Sequence, residues 1–387
     1  MKNERSLLSP SVVNEYLLHG HIYNKTHIDE TEKSVQKYTC LNNSIKKDVT
    51  KKEYFDSPGL LLSSGLDSSM IALLTPVPIK TYTINFSKRE WNEDSIAHRV
   101  AAAAGHKHVD LVYDSDDLIG NLERWVRLLE LPYSHPNGLP TFLAIEEIKK
   151  DCDILIDGTG GDVLFGYLGQ NIKLKTRHII KNKIKELLKY IISPVINGKY
   201  IPINERKVFF ENWKGKSRFL IAPNIYSNES RDFIKSYVDK LSGYNDEDFY
   251  KYYILWSVAA SSGRIRMMSD ILDVKLLVPF MDDSFIANCG EIPVYARKKE
   301  MQLEIVRDFI SDYTYKKLAM QTPWDETLKS YDWNKGMELI RNNLVSFNHD
   351  FFEKIVDLHM SDQEKHGQKL LNALILALWC NSKGIKI

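Results

Sequence analysis

The sequence predicts an α/β fold, in which helices flank a twisted parallel sheet and the C-terminal half is mostly helical. Two observations predict this class. Strand-like and helix-like segments alternate between residues 59 and 157, and this alternation is typical of parallel sheets covered on both faces. In addition, two turns rich in serine or glycine directly follow strand-like segments, which is where ligands bind in such sheets.

The first element is an apolar strand, Gly59–Leu62, followed by the turn Ser63–Ser69 and a helix that begins near Met70. Such a turn gathers backbone N–H groups and hydroxyls at a helix N-terminus, where anions bind. An aspartate, Asp67, belongs in an anion cradle only if a divalent cation lies between it and the anion. The turn therefore predicts a pyrophosphate site with Mg²⁺. It is not a Walker loop, because the Gly-x-x-x-x-Gly-Lys spacing is absent.

The following segments continue the alternation as far as residue 157. β-branched and aromatic residues predict a strand at 80–86. Gly105 is the expected C-cap of a helix at 93–104. We predict further strands at 108–112 and 153–157, and helices at 93–104, 114–130 and 140–150.

The last of these strands leads into a second turn, Asp157–Tyr167, which has three glycines in four positions. Glycines allow the backbone to approach a ligand closely. Asp162 follows them and can supply a second carboxylate to the same metal as Asp67. Two aspartates with phosphate oxygens and waters suit octahedral Mg²⁺.

Composition sets limits on the partners. The chain has 387 residues, 43% of them hydrophobic, which permits one large or two medium domains. Its net charge of +1 favours neither nucleic acid nor a membrane surface. The four cysteines form no Cys-x-x-Cys motif, so we expect reduced thiols and a cytoplasmic location. We find no signal sequence and no uncharged span of membrane length.

The two turns resemble the ATP-pyrophosphatase (PP-loop) signature of the asparagine synthetase family, whose fold is adenine nucleotide α-hydrolase-like. The family pattern Ser-Gly-Gly-Leu-Asp-Ser-Ser matches 63–69, and its later Gly- and Asp-containing turn matches 157–167. The resemblance extends over about residues 10–167 and 250–387. Further matching elements are Tyr16–Gly20, Ile84, Phe86, Asn92-Glu93, Ala97, Gly105, His108, Val278–Asp282 and Leu370–Trp379.

The resemblance implies an AMP-forming carbon–nitrogen ligase that uses ATP and Mg²⁺. Such an enzyme adenylates a substrate carboxylate, releases pyrophosphate, and transfers the acyl group to ammonia or an amine. The resemblance implies that Asp67 and Asp162 hold the metal. The positions it implies for nucleotide binding are Leu61, Ser63, Ser64, Gly65, Leu66, Asp67, Ser68, Ser69, Ile84, Asp157 and Gly158.

Several positions depart from the family pattern. Thr159 stands where asparagine synthetases have Glu and β-lactam synthetases have Tyr, so we expect this position to follow the substrate. Gln321 stands in place of a family lysine, and Lys316 or Lys317 could supply that charge; we take Lys317 as the candidate. Residue 2 is Lys rather than the nucleophilic Cys of glutaminase-containing members. We therefore expect ammonia or an amine as the nucleophile, with a possible partner enzyme or homodimer.

We divide the chain into four parts: an N-terminal extension (1–50), an ATP-binding core (51–170), a basic helical insertion (171–245) and a helical C-terminal part (246–387). The basic helix at 172–192 has an apolar stripe. It is interpreted either as the solvated face of a packed helix or as a docking face for an acidic peptide, a carrier or a membrane surface.

Two alternatives to the ligase stay open. One is a catalytically silent nucleotide-binding partner protein, which the departures at Thr159 and Gln321 motivate. The other is a tRNA-modifying PP-loop enzyme, although the chain has neither a dithiol motif nor an evident basic RNA face. His106, His108 and His135 show no metal-ligand spacing, and we interpret them as ordinary loop or strand histidines.

Overall fold

A computed structural model describes residues 57–87, 94–130, 132–161, 165, 265–281, 299–313, 320 and 322–387. Within these residues, five strands form one sheet in the order β3-β2-β1-β4-β5, and each neighbouring pair is parallel. The predicted α/β class is thereby confirmed. The strands are β1 (Pro58–Leu61), β2 (Lys80–Phe86), β3 (Lys107–Tyr113), β4 (Ile154–Ile156) and β5 (Lys275–Leu277).

The order of the strands reverses beside β1. The chain runs outward from β1 through β2 to β3, then returns to place β4 on the opposite side of β1. In register, Leu60 lies opposite Ile156 of β4, while Leu61 lies opposite Tyr82 of β2. The crevice between β1 and β4 is thus the topological switch point, where parallel sheets bind ligands beyond their carboxyl ends.

Helices cover the sheet, and most of the described residues after 298 are helical, as the sequence predicts. The N-terminal half contributes α1 (Leu66–Leu74), α2 (Asp94–Ala103), α3 (Ser115–Leu128) and α4 (Gly138–Lys149). The C-terminal half contributes α5 (Lys299–Phe309), α6 (Trp324–Thr327), α7 (Trp333–Asn343), α8 (His349–Met360) and α9 (Gly367–Lys383). The predicted elements of the first half are all present. Their ends differ by one or two residues, except that α1 begins at Leu66, four residues before the predicted Met70.

Local sequence accounts for several of these ends. Asp114 caps α3, because its side chain accepts a hydrogen bond from Asp117 N while the Asp117 side chain accepts one from Asp114 N. Gly105 follows α2 with φ of 71°, a left-handed conformation that glycine adopts without a steric penalty. Gly59 in β1 is required by packing rather than by its backbone conformation, because a Cβ there would lie 2.8 Å from Ile148 Cγ2 of α4.

The two faces of the sheet bury different cores. On one face, Tyr82 and Phe86 pack with α3, α4 and the C-terminal helix α9, which is buried from Leu370 to Cys380. On the other face, Leu60, Leu62 and Ile156 pack with α1, α2 and α5. The consecutive β1 residues Leu60 and Leu61 therefore reach opposite cores, as expected for a strand covered on both sides.

Several predictions fall outside the described residues. These are the N-terminal extension, the basic insertion with its helix at 172–192, and the positions Asp162, Asp282, Lys316, Lys317 and Gln321. Among the described helices, none is both long and apolar enough to cross a membrane.

His106 is buried and links α1 to the residue before β2 through both of its ring nitrogens. The two contacts fix its tautomer. Its Nδ1 accepts a hydrogen bond from Ile79 N at 3.4 Å, and its Nε2 lies 2.9 Å from Ala72 O, to which it donates. Burial lowers the pKa of His106 below its ordinary value of 6.5, and the hydrogen bond to Ala72 only partly opposes this effect. The folded protein therefore holds His106 neutral at neutral pH.

We predict that His106 makes the protein less stable in mild acid. The unfolded chain takes up this proton near pH 6.5 and the folded chain only at lower pH, so stability is lost as pH falls below about 6.5. Urea unfolding at pH 7.5 and 5.5 should show a larger loss for the wild type than for His106→Gln. All other histidines are the same in both proteins, so equal losses would contradict the prediction.

Candidate functional site

The serine-rich turn after β1 is held in place by its own hydroxyls. Ser68 Oγ accepts a hydrogen bond from Ser63 N at 3.0 Å and lies 2.9 Å from Ser63 Oγ. Ser63 Oγ in turn accepts a hydrogen bond from Gly65 N at 3.1 Å. Tyr313, from beyond α5, donates its hydroxyl to Ser64 O at 2.8 Å. Hydrogen bonds within the protein thus hold the turn in this conformation.

The turn delivers the N-terminus of α1 to the switch point. Gly65 is the N-cap and has no side chain that could satisfy the first N–H groups of the helix. Within the described part of the chain, the buried Ser69 Oγ also has no hydrogen-bond partner. The N–H groups of the first helical turn, the helix dipole and the unsatisfied hydroxyl of Ser69 together suit an anion.

The glycine-rich turn after β4 packs directly against this helix N-terminus. A Cβ on Gly158 would lie 3.1 Å from Ser68 N, and a Cβ on Gly161 would lie 2.1 Å from Asp67 Oδ1. Only glycine fits at position 161, because a contact of that length is a steric overlap. The two turns that the sequence singled out therefore converge in space.

Two contacts shape the remainder of the second turn. Asp157 Oδ1 accepts a hydrogen bond from Thr159 N at 2.9 Å, which places the half-buried Thr159 at the tip. Gly160 has φ of 100°, and a Cβ there would lie 3.0 Å from Met281 Sδ. Met281 ends a 3₁₀ turn, Pro279–Met281, that follows β5, so the Val-Pro-Phe-Met segment supports the glycine-rich turn.

The carboxylate of Asp67 is paired with two side chains from α5. Lys299 Nζ lies 2.7 Å from Asp67 Oδ1 and 2.8 Å from Oδ2, and Gln302 Nε2 donates to Oδ1 at 2.6 Å. The Lys299 side chain is 5% exposed and that of Asp67 is 18% exposed. A largely buried ion pair therefore lies at the centre of the site.

Lys299 and Gln302 are functional candidates that our sequence interpretation missed. They lie three residues apart on α5 and reach Asp67 across 232 and 235 residues of sequence. The spacing places both on one helix face, but a basic residue in a charged helix carries no local sign that it will be buried. Only the packing of α5 against α1 reveals it.

The other predicted site residues divide into two groups. Leu61 and Ile84 lie on the same face of neighbouring strands, where both are half-buried against the core that contains Tyr82 and Phe86. Asp162 and Lys317 lie outside the described residues. The structure thus brings together Ser63–Ser69 and Asp157–Gly161, with Leu61 and Ile84 on the adjoining strands.

Comparison with known proteins gives the chain a family. The family model described as asparagine synthase matches residues 53–381, and the chain belongs to this family. It is 24% identical over 394 residues to asparagine synthetase [glutamine-hydrolyzing] 1 of Bacillus subtilis (strain 168), covering 92% of this chain and 60% of that protein. The chain therefore spans about three fifths of the length of that relative.

Two further similarities are more limited. A Mycobacterium bovis protein that also carries the name of a glutamine-hydrolysing asparagine synthetase is 32% identical over 111 residues, which cover 28% of this chain and 17% of that protein. Among solved structures, a U34-tRNA thiolase from Methanococcus maripaludis matches 63% of this chain and 80% of its own, at 20% identity and a TM-score of 0.22.

We predict that replacing Lys299 by Met destabilises the protein by about 3–5 kcal/mol, because it removes the ammonium group that is paired with the largely buried Asp67 carboxylate. Urea unfolding of Lys299→Met measures this loss. The double variant Lys299→Met/Asp67→Asn should lose less than the two single losses added together.

The matched control is Arg127→Met, which removes the cation of the exposed pair between Arg127 and Glu123. It should cost less than about 1 kcal/mol, because an exposed pair is screened by water. If Lys299→Met and Arg127→Met lowered the free energy of unfolding equally, burial of the Lys299–Asp67 pair would have no energetic consequence.

Proposed function

We propose that the chain is an ATP-dependent, AMP-forming ligase that adenylates a substrate carboxylate and transfers it to ammonia or an amine. Membership of the asparagine synthase family supports the reaction class. The observation that carries the proposal is the convergence of the two turns, in which Gly158 and Gly161 contact the α1 N-terminus and Asp67. That arrangement places N–H donors and a carboxylate where a nucleotide's phosphates bind in such folds.

In this proposal the serine-rich turn holds the pyrophosphate part of ATP. Its residues supply hydroxyls from Ser63, Ser68 and Ser69 and backbone N–H groups at the α1 N-terminus. The ordered turn pays little entropy on binding, because its hydrogen bonds already exist. The proposed nucleotide-binding set is Leu61, Ser63, Ser64, Gly65, Leu66, Asp67, Ser68, Ser69, Ile84, Asp157 and Gly158.

Leu61 and Ile84 would form the apolar wall for the adenine ring in this proposal. They are half-buried neighbours on β1 and β2, next to the switch point. Gly158 would approach the ribose, since the absence of a side chain there already permits its contact with Ser68.

The same site suits Mg²⁺. Asp67 supplies a carboxylate at the helix N-terminus, and Asp162 follows directly after Gly161, which contacts Asp67. We propose these two aspartates as the ligands, because hard oxygen donors and phosphate are what Mg²⁺ prefers. When bound, the ion would neutralise charge on the departing pyrophosphate.

Lys299 extends this proposal to a residue of the C-terminal half. Its ammonium group is buried against Asp67, and a nucleotide with its metal would compete for that carboxylate. We propose that the positive charge of Lys299 then stabilises the negative charge of the phosphates. Such stabilisation is stronger in a site from which water is excluded. Lys317 and Thr159 are proposed to act nearer the substrate carboxylate.

A second candidate function has one observation in its favour. Lys299 already neutralises the charge of Asp67, and Gln302 donates a hydrogen bond to it, so a silent nucleotide-binding protein could keep this arrangement permanently. The two candidates differ in whether the bound nucleotide is activated at its α-phosphate.

We predict carboxylate-dependent exchange of labelled pyrophosphate into ATP, tested with a panel of amino, keto and peptide carboxylates. Asp67→Asn should reduce exchange by more than about 100-fold, because it removes the charge that organises the phosphates. The control Asp116→Asn changes an exposed aspartate in the first turn of α3 and should leave exchange unchanged. Tight ATP binding without exchange for every carboxylate would favour the silent protein.

We also predict that Gly161→Ala lowers exchange by about 100-fold, because its Cβ would displace the Asp67 carboxylate from its present position. Gly120→Ala is the matched control, since a Cβ at Gly120 on α3 would meet nothing within 4 Å. That control should keep full exchange and gain about 1 kcal/mol of stability from helix propensity. Normal exchange by Gly161→Ala would argue against Asp67 as a phosphate-site residue.

A further inference from the structure

Three potential metal ligands meet on the outer part of the sheet, away from the switch point. His108 and Asp110 alternate along the edge strand β3 and so face the same side of the sheet. His98 reaches them from α2, which packs over that side. The three side chains offer ligand atoms that all lie within 4.8 Å of one another.

The cluster has a defined geometry. His98 Nε2 lies 2.7 Å from Asp110 Oδ2, and His108 Nε2 lies 3.5 Å from Asp110 Oδ1. The two imidazole rings are 4.4 Å apart at an angle of 69°. Both imidazole Nε2 atoms therefore point at one carboxylate from different directions.

Thr81 determines the orientation of the His108 ring. Thr81 Oγ1 lies 2.7 Å from His108 Nδ1 and donates its own proton to Lys107 O at 3.4 Å. In the tautomer that carries its hydrogen on Nδ1, the ring donates to Thr81 Oγ1 and Nε2 carries the lone pair. This is the tautomer in which His108 can bind a metal through Nε2.

His108 Nε2 is left without a hydrogen bond among the described residues, although the side chain is only 6% exposed. A lone pair that faces a carboxylate oxygen is repelled unless a proton or a metal lies between them. Metal binding uses the neutral ring, whose lone pair is then available to the ion.

The neighbouring residues hold the carboxylate as well. Asn85 Nδ2 donates to Asp110 Oδ1 at 3.1 Å, so β2 supplies an orienting group to each of the two β3 side chains. Supporting hydrogen bonds of this kind are characteristic of built metal sites. The ion pair between His98 and Asp110 would by itself explain two of the three groups, but it leaves His108 Nε2 unsatisfied.

We propose that His98, His108 and Asp110 form a zinc-binding site that fastens α2 to the edge strand. Two imidazole nitrogens and a carboxylate are a common three-ligand set for Zn²⁺, with water in the fourth position. The nitrogen donors disfavour Mg²⁺. Solvent can reach the site, because the side chains of His98 and Asp110 are 51% and 30% exposed.

This zinc site is separate from the proposed Mg²⁺ site. Asp110 lies opposite Thr83 in the middle of β2, whereas the proposed nucleotide site lies beyond the ends of β1 and β4. Zinc binding would therefore stabilise the fold without taking part in the ligase reaction.

The test uses the full-length chain without a polyhistidine tag, stripped of metal with a chelator. Zn²⁺ titration against a competing indicator should give one site per chain and raise the melting temperature. Cobalt(II) should produce the visible absorption of a tetrahedral complex. His98→Ala, at a half-exposed position that tolerates truncation, should weaken Zn²⁺ binding by at least about 10-fold.

Two further variants make the test specific. Thr81→Val removes only the hydroxyl that orients His108 and should weaken binding by about 10- to 100-fold. His349→Ala, on the distant helix α8, is the control and should bind Zn²⁺ as the wild type does. Absence of stoichiometric binding, or equal binding by wild type and His98→Ala, would overturn the proposal. Because none of these readouts involves ATP, they are independent of the ligase assignment.

Discussion

The packing of two turns at the strand-order reversal is the constraint on which the candidate site depends. β1 and β4 are parallel neighbours, so the turns that follow them emerge at the same edge of the sheet. They can pack together only because positions 158 and 161 lack side chains, and a Cβ at 161 would overlap the Asp67 carboxylate. The glycines here therefore allow the two turns to approach each other closely. The anion-binding helix N-terminus and the neighbouring glycine-rich backbone thus form one site rather than two.

The C-terminal half contributes more than cover for the sheet. α5 packs beside α1 in the core that contains Leu60 and Ile156. This packing brings Lys299 and Gln302 onto Asp67. A buried ammonium and a buried carboxylate stabilise each other only as a pair, so each half of the described protein depends electrostatically on the other. Tyr313, which follows α5, holds the backbone of the serine-rich turn at Ser64. Assembly of the site and docking of α5 are consequently linked.

The sequence predicted the parts of this protein whose structure is decided locally. Alternating apolar patterns identified the four strands and four helices before residue 157, and Gly105 was correctly placed after α2, where its φ is positive. The serine-rich and glycine-rich turns were recognised because strand ends, hydroxyls and glycines are adjacent in sequence. Lys299 escaped recognition because its partner is 232 residues away. His108 was interpreted as an ordinary strand histidine, and the structure places it beside His98 and Asp110, a grouping that depends on how α2 lies across β3.

The sequence by itself determined the fold class and the two turns, together with the family resemblance that they carry, because periodicity and turn composition act over a few residues. The tertiary structure alone decided which distant groups meet. It placed Lys299 and Gln302 on Asp67, brought Gly161 against the same carboxylate, and brought His98 of α2 next to His108 and Asp110 of β3. The physical reason is that hydrogen bonds, ion pairs and metal ligation operate within about 3 Å. Contacts at that range follow from the packing of whole helices on a sheet, which no short stretch of sequence specifies.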